Sequence, residues 1–90
     1  MRRQQTAIVN KLGIHARAAT RLIDLARTFS CQVRIGRDDD SLVDAKSIMK
    51  VLQLGADRGT PIVLVTDGDD EDAAAQALLG LIESRFGEDE

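Results

Sequence analysis

Tryptophan and tyrosine are absent from the 90 residues, and only Phe29 and Phe86 are aromatic. Proteins that hold single-stranded nucleic acid stack bases on exposed aromatic rings; two phenylalanines on helical apolar faces supply no such platform. A formal net charge of −3 also opposes phosphate-backbone binding, so no nucleic-acid partner is expected. One histidine and one cysteine cannot assemble a zinc site of the common Cys/His types. Asp38, Asp39 and Asp40 lack the spaced ligands, central glycine and distal glutamate of a calcium loop. They read as a solvated turn, and neither metal nor cofactor is expected. Cys31 has no partner for an internal disulfide. No apolar run approaches the roughly 20 residues of a membrane span, so no membrane insertion is expected. Arg2 and Arg3 are followed by Gln4, Gln5 and Thr6 rather than by an apolar stretch, which leaves no cleavable leader in view. These scarcities together lead to the expectation of a reduced, cytoplasmic setting.

What is present fits one small globular domain spanning residues 1–90, with 43% hydrophobic and 30% charged residues. Charge is unevenly spread. Residues 1–59 hold 11 of the 12 basic residues against six acids, whereas residues 60–90 hold Arg85 alone against nine acids. The acidic end reads as the solvated face and fraying tail of a last helix. The basic part suits a surface that steers an acidic partner or holds a phosphate.

Hydrophobic spacing divides the chain into seven elements. Gln4 to Val9 alternates as a strand. Ala16 to Phe29 is an amphipathic helix, with Ala19, Leu22, Ile23 and Ala26 at helical spacing. Cys31, Val33 and Ile35 alternate with polar residues as a half-buried strand, which makes Cys31 a buried apolar residue rather than a redox thiol. Gly36 to Asp40 turns into a return strand over 41–44, a hairpin. Ser47 begins a second, shorter helix, which Gly55 ends. Ile62 to Thr66 is strongly β-prone. Asp70, Glu71 and Asp72 load the first turn of a final helix with negative charge; Ala74, Leu78, Leu81 and Ile82 give its inner face and Phe86 closes it. The order β-α-β-β-α-β-α suits an α+β sandwich, one antiparallel sheet with helices on one face.

A lone histidine beside a helix is most often a surface or capping residue. His15 differs in following a glycine-containing loop and standing where the first helix starts. A helix start offers unpaired N–H groups and about half a positive charge. That environment favours neutral imidazole, a usable nucleophile near neutral pH. It also favours an anion on the ring, because the amides of Ala16 and Arg17 can point at it. The Arg17 guanidinium can hold phosphate oxygens in a fork. Phosphoryl transfer depends mainly on alignment and charge stabilisation, so few residues suffice. The chain has no Gly-rich nucleotide loop, so another protein must hold the donor.

Asn10-Lys11-Leu12-Gly13-Ile14-His15-Ala16-Arg17-Ala18-Ala19 resembles the active-site segment of the HPr family, the histidine-containing phosphocarriers of the bacterial phosphoenolpyruvate-dependent phosphotransferase system. The run from Asp44-Ala45-Lys46-Ser47-Ile48 to Gly55-Ala56 is similar to the family's second motif, and the resemblance covers essentially the whole chain. It implies an open-faced β-sandwich, a four-stranded antiparallel sheet covered by three helices. It further implies that Nδ1 of His15 takes phosphate from phosphorylated enzyme I and passes it to an enzyme IIA-type acceptor. A carrier of this kind is regenerated and is not itself an enzyme on a small molecule. Ala18 stands where the family commonly has proline. Proline there would stiffen the first turn, but none of His15, Arg17 or the amides is lost. The Asn-Lys-Leu-Gly loop with this alanine resembles both HPr of some Gram-negative bacteria and the nitrogen-related NPr branch.

A serine at the start of a helix most often caps it. In the family the residue matching Ser47 is also phosphorylated by a dedicated ATP-dependent kinase in some bacteria. A phosphate there is locally tolerable at a helix start, yet its charge of about −2 would obstruct an acidic partner. Five apolar residues in the short second helix exceed one buried stripe, so Ile48, Met49 and Leu52 are expected to include a docking patch, flanked by Arg17, Arg21 and Lys50. A monomer is the default. Two other functions stay open on the residues alone: a regulatory interaction module using the Ser47 face, and a small-ligand-binding α+β domain in which His15 is a bystander.

Overall fold

A computed structural model describes residues 1–89. Strands β1 (Arg2–Ala7), β2 (Gln32–Gly36), β3 (Val43–Asp44) and β4 (Pro61–Asp67) alternate with helices α1 (Ala16–Ala26), α2 (Ile48–Gln53) and α3 (Glu71–Glu83), and a 3-10 turn, Arg85–Gly87, follows α3. The expected order holds. All strand pairs are antiparallel, in the spatial order β1-β4-β2-β3. The β2–β3 hairpin pairs Arg34 with Asp44 and Ile35 with Val43.

The helices cover one face of the sheet. Ile8, Val33, Ile35, Ile62 and Leu64 of that face meet Ala18, Ala19, Leu22, Ile23 and Ala26 of α1, Val51 of α2, and Ala74, Leu78 and Ile82 of α3 in one buried cluster. On the open face Val63 and Val65 are also buried. Their register neighbours include Gln5, Arg3 and Arg34, and Arg3 makes a two-pronged bond to Asp39 at 2.7 and 2.8 Å. Cys31 is buried, and burial pushes its thiol pKa up, as expected of a packing residue.

Several sequence boundaries shift. β1 begins and ends two residues earlier than the alternation implied. Its register runs from Arg2 opposite Thr66 to Ala7 opposite Pro61, where proline has no N–H to extend the ladder. Val9 is therefore exposed. α1 stops at Ala26, and Phe29 sits in the following turn, packed against the core. β3 keeps only two residues of the expected 41–44. On α3, Leu81 is half-buried and Ala75 joins the buried face. Phe86 does not continue α3: the chain reverses hand at Arg85 (φ 62°) and Phe86 (φ 54°), and Phe86 enters the core from this turn.

Candidate functional site

The loop between β1 and α1 is pinned at both ends. The amide of Ile8 donates to Thr60 O at 3.0 Å and the amide of Ile14 to Ala56 O at 2.8 Å. Gly13 has φ +69°, and a β-carbon there would lie 2.5 Å from Ala56 O, so only glycine fits. This tight passage delivers His15 as the N-cap of α1, in extended backbone (φ −90°, ψ −178°). The sequence placed His15 beside the helix start; the structure makes it the cap itself.

The ring is half-buried. Nδ1 accepts from the Arg17 amide at 3.3 Å, and Nε2 lies 2.5 Å from Glu88 Oε2. Glu88's other oxygen accepts from Asn10 Nδ2 at 2.8 Å. Those two hydrogen bonds, that of Asn10 foremost, hold the Glu88 carboxyl below its ordinary range against the opposing effect of burial. An ionised carboxylate only accepts, so Nε2 carries the hydrogen and Nδ1 keeps its lone pair. Nδ1 thus points toward the start of α1, where the first amides are those of Ala16 and Arg17. A groove of about 620 Å³ next to Glu88 is lined by Lys11, Leu12, Arg17, Arg21, Gly87, Glu88 and Asp89. Cations of the loop and of α1 thus line a groove that also holds Glu88, the partner of the ring.

Of the expected site residues, the structure places His15, Ala16 and Arg17 at the start of α1 and Arg21 at its middle. Arg21 does more than edge a surface, because its guanidinium donates to Phe86 O and anchors the chain's last turn. The second motif lies on α2. Ser47 occupies the N-cap, but its side chain makes no capping bond, which removes the usual structural role. Met49 is 63% exposed and Ile48 37%; Lys50 is exposed too. Leu52 is the exception among the docking residues, since it is half-buried against the core.

Three residues escaped the sequence reading. Leu12, 66% exposed, presents an apolar side chain to the groove that Arg17 and Glu88 also line. Asn10 is fully buried and joins the loop to the tail. Glu88, which sequence context places in a fraying acidic tail, instead reaches back to His15. The one sequence signal for that return was Phe86-Gly87, an anchor and a helix breaker directly before the acid.

Similarity to known proteins gives this arrangement its class. Residues 2–84 match the family model described as "PTS HPr component phosphorylation site", which places the chain among small phosphocarrier proteins. Within that class it belongs to the HPr family. It is 51% identical over 90 residues to the phosphocarrier protein HPr of Cupriavidus necator, covering 100% of both chains. It is 50% identical over 86 residues to that of Pseudomonas aeruginosa, covering 96% of both. The crystal structure of HPr-C-His from Thermoanaerobacter tengcongensis superposes with a TM-score of 0.93 at 42% identity, over 100% of both chains. The fold is accordingly the open-faced α+β sandwich of HPr. The chain is a phosphocarrier of the phosphotransferase system, carrying a group rather than catalysing a reaction of its own.

Proposed function

We propose that His15 is the phosphoryl-bearing residue, that phosphorylated enzyme I is the donor and that an enzyme IIA-type protein in sugar transport or in nitrogen and carbon regulation is the acceptor. One observation carries this reading: the Nδ1 lone pair faces a helix-start amide, while Nε2 is tied to Glu88. The phosphoryl group on Nδ1 is held by the amides of Ala16 and Arg17 and by the Arg17 guanidinium. Ile48 and Met49 on α2, with Leu12 of the loop before α1, form the apolar centre of a docking face that Arg21 and Lys50 edge with positive charge. Leu52 supports that face from beneath. A transient, electrostatically steered complex suits a carrier that must release each partner. The protein works as a cytoplasmic monomer in this reading. That location accords with the phosphotransferase family, and no helix of the described residues is long and apolar enough to cross a membrane.

Ser47 is a second modification site in this proposal. Its hydroxyl has no capping duty, it is half-buried, and the helix it starts carries the docking face. A phosphate there would set about two negative charges beside an acidic partner and slow docking without refolding the domain.

The test is incubation with phosphoenolpyruvate and enzyme I. An acid-labile phosphate is expected on the wild type and none on His15→Ala. Label on Ser47 alone, requiring ATP and a serine kinase, would make the chain a regulatory module instead. Absence of label with every cognate enzyme would leave the ligand-binding alternative.

A further inference from the structure

We infer that Glu88 is a positioning residue, holding the His15 hydrogen on Nε2 so that the Nδ1 lone pair faces the Arg17 amide. The inference rests on the carrier role of His15 proposed above and adds a residue from the acidic tail to that site.

The contact is built rather than incidental. The Glu88 side chain is only 14% exposed, and its two oxygens have separate donors: His15 Nε2 at 2.5 Å and Asn10 Nδ2 at 2.8 Å. Asn10 Nδ2 also donates to Gly13 O at 2.8 Å. With both of its hydrogens directed at acceptors, the Asn10 amide has a fixed orientation. The tail reaches this position through three successive left-handed residues, Arg85, Phe86 and Gly87, with φ of 62°, 54° and 76°. Left-handed backbone is unfavourable for arginine and phenylalanine. It persists here because the Phe86 ring is buried in the core and Arg21 donates to the Phe86 carbonyl. Chain segments some 70 residues apart are thus locked together at the histidine.

In the transfer step, the Nδ1 lone pair forms the N–P bond while the bond from phosphorus to the donor breaks, its electron pair staying with the donor. The ring becomes cationic and the hydrogen on Nε2 stays where it is, facing Glu88, so no proton need leave. In onward transfer the acceptor's nucleophile bonds to phosphorus as the N–P pair returns to Nδ1, and the ring is neutral again. A ring whose hydrogen sat on Nδ1 could not begin this sequence.

Asn10 makes the inference sharp. In Glu88→Gln, the new amide has one accepting oxygen, and Asn10 Nδ2 still requires an acceptor. The glutamine NH₂ then turns to His15 Nε2 and donates to it, which favours the hydrogen on Nδ1. In Glu88→Ala, water meets Nε2 and imposes neither form. The isosteric substitution should therefore harm transfer more than the truncation does. Phosphorylation by enzyme I is expected to slow roughly threefold in Glu88→Ala, the scale of one lost hydrogen bond. It is expected to slow roughly tenfold or more in Glu88→Gln, where the ring is held in the wrong tautomer.

The experiment combines those rates with nitrogen-15 spectra of the His15 ring in the unphosphorylated proteins at a pH where the ring is neutral. The wild type should show hydrogen on Nε2, and Glu88→Gln should show a gain of hydrogen on Nδ1, with both variants keeping native amide spectra. Glu88→Gln as fast as Glu88→Ala, or an unchanged ring tautomer in Glu88→Gln, overturns the inference; a slowing with no tautomer change would mean the tail is merely structural. Should none of the three proteins take label, the carrier reading fails, while the ring spectra still decide what Glu88 does.

Discussion

At Gly13 one missing atom sets the geometry of the site. Its carbonyl accepts from Asn10 Nδ2 and from the His15 amide, and its left-handed backbone sits against Ala56. Gly13→Ala drives a β-carbon against the Ala56 carbonyl oxygen and forces a disfavoured φ. A loss of about 3 kcal/mol is expected, read as a Tm lower by roughly 15 °C in a domain of this size. Phosphorylation should slow as well, because the loop that aims His15 must shift. An unchanged Tm would show that the loop yields freely. His15 itself was legible in the sequence because a glycine loop before a helix start is a local pattern. Spacing marks Ser47 as a cap and the family resemblance marks it as a modification site; the structure shows no side-chain capping bond, since such bonding depends on rotamers that spacing does not encode.

At the scale of elements, α2 is short and carries most of the proposed docking face. Met49 is mostly exposed in its first turn, where an acid is also acceptable to the helix dipole. Met49→Asp should therefore leave thermal stability within about 0.5 kcal/mol of the wild type. Transfer to or from a partner should fall roughly tenfold, because a hot-spot contact is replaced by a like charge opposite an acidic surface. Equal rates in stopped-flow transfer assays would remove α2 from the docking face. The elements themselves were readable where periodicity is local: α1, the β2–β3 hairpin and β4 all lie within two or three residues of their expected positions. The failures share one cause. β1 is offset because its limits are fixed by pairing with Pro61 and Thr66, far along the chain. The tail was misread because its anchors, Asn10, His15 and Arg21, lie more than 60 residues away. Asp70 looked like dipole compensation for α3, yet its carboxylate accepts from the amides of Ser30 and Cys31 at 2.8 and 2.9 Å. No periodicity reports such links.

Across the whole molecule, three of these links use carboxylates, and each joins parts distant in sequence. Asp70 ties the start of α3 to the turn before β2, Asp39 ties the hairpin to β1, and Glu88 ties the tail to the His15 loop. All three carboxyls are held below their ordinary values: Asp70 first by the Ser30 amide, Asp39 by the hydrogen bond from Arg3, and Glu88 first by Asn10. A depressed carboxyl in the folded state means that the unfolded chain takes up its proton first as pH falls. The stability from each link is then complete above the ordinary carboxylate range near pH 4 and is lost as pH drops through the lower folded value. Urea midpoints should therefore stay level, as far as these groups contribute, between about pH 7 and pH 5, and decline below roughly pH 4. Asp70→Asn should be less stable at pH 7, because an amide offers one acceptor to two backbone donors and sets its own NH₂ against the other. The same variant should show a shallower acid decline, having no carboxyl at that position to titrate. A midpoint that rises on acidification below pH 4, or an Asp70→Asn curve parallel to the wild type throughout, would show that these long-range carboxylate links do not govern acid stability.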